Sequence, residues 1–434
     1  MTLTRSLRCL LGALIWLGAA GWLDPASAGT LRVPEDYARI TDALDASAPG
    51  DTVSVGPGTF STSTTGETFP LQMIVAGVSL MGSGAGISTL DAQGQGSVLV
   101  LDAPGLRVCG FTITGGQALE GGGMRARSGA PQIDHNLLLE NRATDAGAAI
   151  YVAPGADPWI HHNVAWRSMD TDVSVPGDPH GIQVVNANGL IEHNLIGRGD
   201  SNGLITTGSS KPVVRNNIFY ENGIPGLRGR GFCALSDSTE TITHNLFFAN
   251  AIAALLVLTP SGPVNVSALE ANDYRLTDNI EFNLDADPAL VDADAMNFHL
   301  TPGSPAIDAG DPAAGLDPDG TAPDAGPFYF DQNGVGTSVS SGRELTLLPG
   351  APNPFRGATT VSFVLPASGS VRLAIFDVRG RRVATLLDGE RVAGPHRATW
   401  SGRDERGDPV ASGVYIARLT QAGLSRVRKI VLAR

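Results

Sequence analysis

A short phrase recurs down the middle of this chain at nearly even intervals: an apolar residue, any residue, His or Asn, then Asn and an apolar run. It reads Ile133-Asp134-His135-Asn136, Ile160-His161-His162-Asn163, Ile191-Glu192-His193-Asn194, Val214-Arg215-Asn216-Asn217 and Ile242-Thr243-His244-Asn245. Successive closing Asn residues stand 27, 31, 23 and 28 positions apart. A degenerate copy, Val108-Cys109-Gly110-Phe111, is expected to put Gly110 at the Asn position, 26 residues before Asn136. A period of about 20 to 50 residues marks stacked units that bury a core only against their neighbours.

Each period holds strand-length apolar runs such as Ala149-Ile150-Tyr151-Val152 and Asn217-Ile218-Phe219-Tyr220, divided by Gly, Asn, Asp and Pro. That leaves too little room for paired helices, so the period predicts three strands wound into one coil of a parallel stack. Asn and Gly tolerate positive φ, and a turn repeated in every coil calls for one of them at the same place. Stacked carboxamides can also hydrogen-bond from coil to coil. Asn136, Asn163, Asn194, Asn217 and Asn245 are therefore expected to form a structural ladder.

Residues 1–28 carry Arg5 and Arg8, an apolar run from Leu10 to Leu23 and a small-residue site at Ala26-Ser27-Ala28, the pattern of a secretory signal. No later stretch approaches the length of a membrane span. An exported, soluble monomer is expected. From Gly29 to Pro349 there are 36 acidic and 14 basic residues; from Gly350 to Arg434 there are 6 and 14. Such asymmetry predicts two domains with different partners, and the acidic body should repel nucleic acid, anionic membrane and polyuronate. Cys109 and Cys233 are expected five coils apart, ~24 Å at the strand spacing, too far for a disulfide, which needs Cα atoms within about 7 Å. Two separate buried thiols follow.

Upstream of the repeats, Pro34, Glu35 and Asp36 suit a helix N-terminus, with Ile40, Ala43 and Leu44 on one side and Ala48-Pro49-Gly50 as the stop. An open stack needs its end covered, and this amphipathic helix is the expected cap. The phrases Arg32-Val33-Pro34-Glu35-Asp36-Tyr37-Ala38-Arg39-Ile40, Ala48-Pro49-Gly50-Asp51-Thr52-Val53 and Gly56-Pro57-Gly58-Thr59-Phe60, with the spaced Asn copies, resemble right-handed parallel β-helix repeat proteins of the pectin lyase-like superfamily. Asp287-Pro288-Ala289-Leu290-Val291, continued by 297–310, is similar to the closing segment of such secreted proteins. The resemblance spans roughly residues 30–330 and implies an all-β, right-handed, three-sided parallel β-helix over 29–330.

A Gly, Ser and Asp-rich linker is expected over 331–349. Short alternating strands then follow at 359–365, 371–378, 382–387, 396–400, 413–420 and 425–432, the pattern of an antiparallel β-sandwich over 350–434. Pro352-Asn353-Pro354-Phe355, Ile375-Phe376-Asp377-Val378-Arg379-Gly380 and Ser412-Gly413-Val414-Tyr415 resemble the Ig-like domain of the flagellar hook-capping (FlgD) type and the C-terminal sorting domains of type IX-secreted proteins. That resemblance implies secretion machinery or a surface component as this module's partner.

For chemistry, the widest gap in the ladder holds the polar passage Arg167 to His180, and a long loop on a rigid scaffold is where a site is expected. Asp178-Pro179-His180 resembles the Asp-Pro-His element of mannuronan C5-epimerases, which makes Asp178 and His180 the candidate catalytic pair; Val175-Pro176-Gly177 lacks that family's preceding aromatic. An ordinary turn into the next strand is the alternative. The body's scarcity of cations disfavours abstraction of a proton beside a carboxylate, which requires a neutralising charge; Arg198 lies close in sequence to this coil and is the basic group with a role to offer there. Residues 270–331 hold 14 acids and one basic residue, Arg275. Asp317, Asp319 and Asp324 there are the candidate metal ligands, with Ca²⁺ the fitting cation. The chain thus reads as a binding or structural β-helix protein of the cell exterior, with extracellular polysaccharide as ligand. The alternative is a polysaccharide lyase, uronate epimerase or glycoside hydrolase.

Overall fold

The structure, a computed structural model, describes residues 28–170, 180–225, 228–236, 241–259, 262–273, 280–332, 346–347, 353–365, 369–377, 381–391, 394–421 and 424–433. The expected signal segment lies outside these residues apart from Ala28. Among the described residues no helix is long and apolar enough to cross a membrane.

Residues 30–285 wind as a coil through three parallel sheets of 10, 9 and 9 strands. The first sheet runs from Thr30–Val33 to Ile280–Glu281, the second from Gly58–Ser61 to Leu284–Asp285, and the third from Leu71–Met73 to Ala253–Thr259. The last strand of the third sheet, Gly262–Val266, turns back antiparallel and ends its ladder. Middle coils add a short fourth sheet from Gln117–Glu120, Arg142–Ala146 and Met169–Asp170, which the period did not predict.

Alternation along each strand decides what is buried. Leu80, Val108, Ile133, Ile160, Ile191, Val214 and Ile242 make one inward column from the first sheet, and all are fully buried. Ile113, Leu138, Ala165, Ile196, Phe219 and Phe247 make the facing column from the second; the rings of Phe219 and Phe247 stack at 4.9 Å. Like side chains repeat on neighbouring strands because the register holds from coil to coil along these two sheets.

Helix α1 spans Ile40–Asp45 and buries Ile40, Ala43 and Leu44 in the same core. It begins later than Pro34 and Glu35 suggest, because Thr30–Val33 instead pairs with Thr52–Val55 as a strand and Asp36 closes a turn by accepting from the Arg32 N–H. Its first amides donate to a distant carboxylate: Glu67 accepts from the N–H groups of Ile40 (2.8 Å) and Thr41 (3.0 Å). Helix α2 spans Ala268–Asp273 near the other end.

After the coil, residues 287–330 pack over the outer face of the second sheet. Val164, Trp166, Leu195, Ile218, Tyr220 and Leu246 point outward there and are covered by Ala293, Phe298, Leu300, Ala306 and Ala325. Arg198 ties the layer down, bonding Glu221 and Asp294 and lying over the rings of Trp166 (5.3 Å) and Tyr220 (5.7 Å). This acid-rich segment is therefore partly a lid for an apolar face.

The C-terminal domain is an antiparallel pair of sheets, one of three strands and one of four. Phe355, Phe363, Leu373, Ile375, Trp400, Leu419 and Ile430 fill its core. Tyr415 Oη donates to the carbonyl of Ala411 at 2.6 Å. The strand Thr346–Leu347 belongs to this sandwich, with Leu347 buried, although it falls within the stretch expected to be linker.

Candidate functional site

Each coil's repeated phrase closes with a buried Asn. Asn136, Asn163, Asn194, Asn217 and Asn245 stand in one column, each donating a side-chain N–H to the next Asn Oδ1 at 2.9–3.1 Å. Each also donates to the apolar residue of the phrase one coil back, for example Asn194 Nδ2 to the Ile160 carbonyl at 2.9 Å. The column continues to Asn283, which the sequence pattern missed because Phe282 replaces His or Asn before it.

The left-handed residue is the one before each Asn. His135, His162, His193, Asn216, His244 and Phe282 have φ between 50° and 60°. The register pairs Val108 with Ile133 and Cys109 with Asp134, which corrects the expected alignment: Gly110 matches His135 and Phe111 matches Asn136. Gly110 holds φ 81°, and a Cβ there would sit 2.8 Å from the Gly82 carbonyl oxygen. Positive φ therefore explains the His, Asn and Gly of the phrase, and buried hydrogen bonding explains the closing Asn.

A second set lies at the next corner. Asn141 donates to the Ile113 carbonyl (2.8 Å), Asn222 to Ile196 (2.9 Å) and Asn250 to Phe219 (3.1 Å), with Ser168 and Gly199 in the intervening coils. Its signal was present as a polar or small residue five positions after each ladder Asn.

Of the candidate catalytic pair, only His180 falls within the described residues; Asp178 lies outside them. His180 is buried, its Nδ1 3.1 Å from Ser201 Oγ and 3.2 Å from Asn202 Nδ2. The outer face of the third sheet carries Arg125, Tyr151 and Gln183 in register. Arg125 pairs with Glu120 and lies 5.7 Å over the Tyr151 ring; its Nε and the Gln183 Oε1 are buried without a hydrogen-bond partner. Burial, and then the Glu120 charge, push the Tyr151 hydroxyl's pKa up.

The three acidic candidates close loops. Asp317 Oδ2 accepts from the Asp324 N–H (3.0 Å), Asp319 Oδ2 from Gln332 (2.9 Å), and the two oxygens of Asp324 from Asp308 (2.8 Å) and Phe330 (2.5 Å). Burial pushes Asp317 up to about 6 and Asp324 up to about 7.

The densest grouping of chemical side chains lies on the outer face of the first sheet. Arg107, Gln132 and Trp159 form one row, and Cys109, Asp134, His161, Glu192 and Arg215 the next. Arg107 grips Asp134 with Nε and Nη2 at 2.8 and 2.7 Å, and His135 Nδ1 lies 2.9 Å from the same carboxylate. Burial opposes the charge, yet these partners hold Asp134 well below the usual carboxylate range. Burial pushes the Cys109 thiol up to about 12 and His161 down to about 4. Trp159 is 42 % exposed; its indole stacks on His161 at 4.0 Å and its Nε1 donates to Glu192 at 2.9 Å. Glu192 accepts in turn from Arg215, which reaches Asp311 in the covering segment. Both cysteines are free; Cys233 is buried four coils on and on the third sheet, while Cys109 is partly exposed, which corrects the expected spacing and burial.

Residues 132–268 match the family described as the right handed beta helix region, and residues 352–424 match the FlgD Ig-like domain. The fold is a right-handed β-helix followed by a β-sandwich that is similar to the FlgD Ig-like domain. This β-helix protein is similar to the FlgD of P. aeruginosa at 24% identity, covering 17% of this chain and 59% of that one with a TM-score of 0.15. It is similar to PorZ, described as an essential bacterial surface component of the type-IX secretion system of Porphyromonas gingivalis, at 24% identity over 23% of this chain and 13% of that one, TM-score 0.16. It is also similar to an alginate lyase of polysaccharide lyase family 6, at 18% identity over 54% of this chain and 37% of that one, TM-score 0.36. The β-helix protein thus spans less than two thirds of each of these chains. No curated protein matches it.

Proposed function

We propose that this is an exported or surface-displayed protein whose β-helix binds extracellular polysaccharide, and whose basic Ig-like domain serves export or surface attachment. The observation that carries the reading is the outer face of the first sheet. There a half-exposed indole lies among Arg107, Gln132, His161 and Glu192, planar groups that match sugar hydroxyls, on a flat and rigid support. The body's excess of acids favours neutral or cationic glycans over polyuronates. Glycan-array binding by the full chain tests it: Trp159→Ala should weaken the best ligand by about tenfold, the order of one lost stacking contact. An unchanged affinity for that variant would refute the assignment of the face. Deletion of residues 350–434 should leave the protein unattached or unexported in its host; correct delivery without them would refute the second half.

One observation favours a catalytic alternative. Arg125 Nε and Gln183 Oε1, without a hydrogen-bond partner among the described residues, flank Tyr151, a phenol and a cation placed together as proton abstraction from a uronate would require. A lyase would release unsaturated, ultraviolet-absorbing uronate, and Tyr151→Phe should abolish that signal.

A further inference from the structure

Neighbouring strands bring three different metal-ligating groups to one point on the first sheet. Cys109 and Asp134 are register partners on adjacent strands. His135 follows Asp134 in the left-handed turn, at φ 54°, and that backbone holds its ring on the same side as the carboxylate, 2.9 Å from it. One ligand atom from each of the three lies within 4.8 Å of the other two. We propose that Cys109, Asp134 and His135 bind a divalent cation of the zinc type.

The donor set selects the metal. A thiolate with an imidazole and one carboxylate suits a borderline-soft ion and is poor for Ca²⁺ or Mg²⁺, which take oxygen. Ligand atoms around tetrahedral zinc lie about 3.5 Å apart, given metal–ligand bonds of about 2.0 to 2.3 Å. Reaching that spacing calls for side-chain adjustment, for which His135, 58 % exposed, is the most open of the three. Binding costs the Cys109 thiol its proton, which leaves to water as the sulfur–metal bond forms. Arg107 has two roles: its fork fixes the carboxylate's orientation, as outer-shell partners of metal ligands do, while its charge repels the cation. Three protein ligands leave further positions to solvent. The three ligands are not among the side chains of the glycan reading, with which the site shares Arg107, and they are separate from the acidic turn at Asp317.

Titration of the reduced, metal-free full chain with Co²⁺ tests the assignment, because thiolate-to-cobalt charge-transfer absorbance reports cysteine ligation alone. One equivalent should produce the band, and Zn²⁺ but not Ca²⁺ should quench it. Cys109→Ser should abolish it and Cys233→Ser should leave it intact. His135→Asn, which keeps a residue tolerant of the left-handed turn, should weaken binding by about tenfold or more. Absence of the band in the wild type, its persistence in Cys109→Ser, or indifference to His135→Asn would overturn the proposal.

Discussion

Asn163 gives both its backbone N–H and its side-chain Nδ2 to a single oxygen, Oδ1 of Asn194, at 3.0 and 3.1 Å. Asn194 repeats the gesture toward Asn217 at 3.0 Å for each bond. Every member is thus both donor and acceptor, and the interior of the turn is satisfied without water.

Asn194→Ala strands the Asn163 amide groups and the Ile160 carbonyl in a buried site. The expected cost is about 3 kcal/mol, the desolvation penalty of buried polar groups left unpaired. Urea denaturation should show it as a lower midpoint, and a loss under 1 kcal/mol by that linear extrapolation would contradict the ladder's role.

Glu67 closes the first turn of α1 from outside the helix. Glu67→Ala should cost about 1 to 3 kcal/mol, as for a lost cap with buried amides. Hydrogen exchange at Ile40 and Thr41 should accelerate before global unfolding; unchanged protection would refute the cap.

The histidine column makes the coil acid-sensitive. Burial, ahead of the neighbouring charges, lowers His193 and His244 below the ordinary histidine pKa. His193 faces Glu192, Arg215 and the backbone of Asp324 and Gly326; His244 faces Asp311, Glu281 and Arg215. With folded values depressed, their contribution is fully present above about pH 6.5 and is lost as pH falls toward the folded values. The melting temperature should drop through that window. Substituting both by Asn, which the same column already carries at Asn216, should flatten the slope; an unchanged slope would show the imidazoles do not titrate there.

The thiols give a chemical check on the coil count. Cys109 lies on the first sheet and Cys233 on the third, four coils later. Alkylation of the unfolded, unreduced protein lacking residues 1–28, which carry Cys9, should add two labels, and in the folded state Cys233 should be protected for longer. A single cross-linked product would contradict the architecture.

The phrase ending in Asn gave away the coil because a turn satisfied by a buried carboxamide must repeat that residue once per revolution. Its companion at Asn141, Asn222 and Asn250 was equally regular but interrupted by Ser168 and Gly199, and so escaped notice. The candidate pair at Asp178 and His180 rested on a local resemblance, and local sequence does not say which neighbours a His will meet: His180 lies buried against Ser201 and Asn202. Arg107, Cys109, Asp134, His135 and Trp159 looked unremarkable because they belong to three separate coils.

The sequence by itself determined the repeat, the strand-length runs, the acidic body and the basic antiparallel domain, since period, alternation and charge are properties of the chain read in order. Only the tertiary structure decided the register that placed Gly110 beside His135, the reach of Glu67 to α1, the layer of residues 287–330 over Trp166 and Tyr220, and the meeting of Cys109 with Asp134. Those depend on contacts between residues dozens of positions apart. Packing and hydrogen bonding across coils fix such contacts, and no local pattern encodes them.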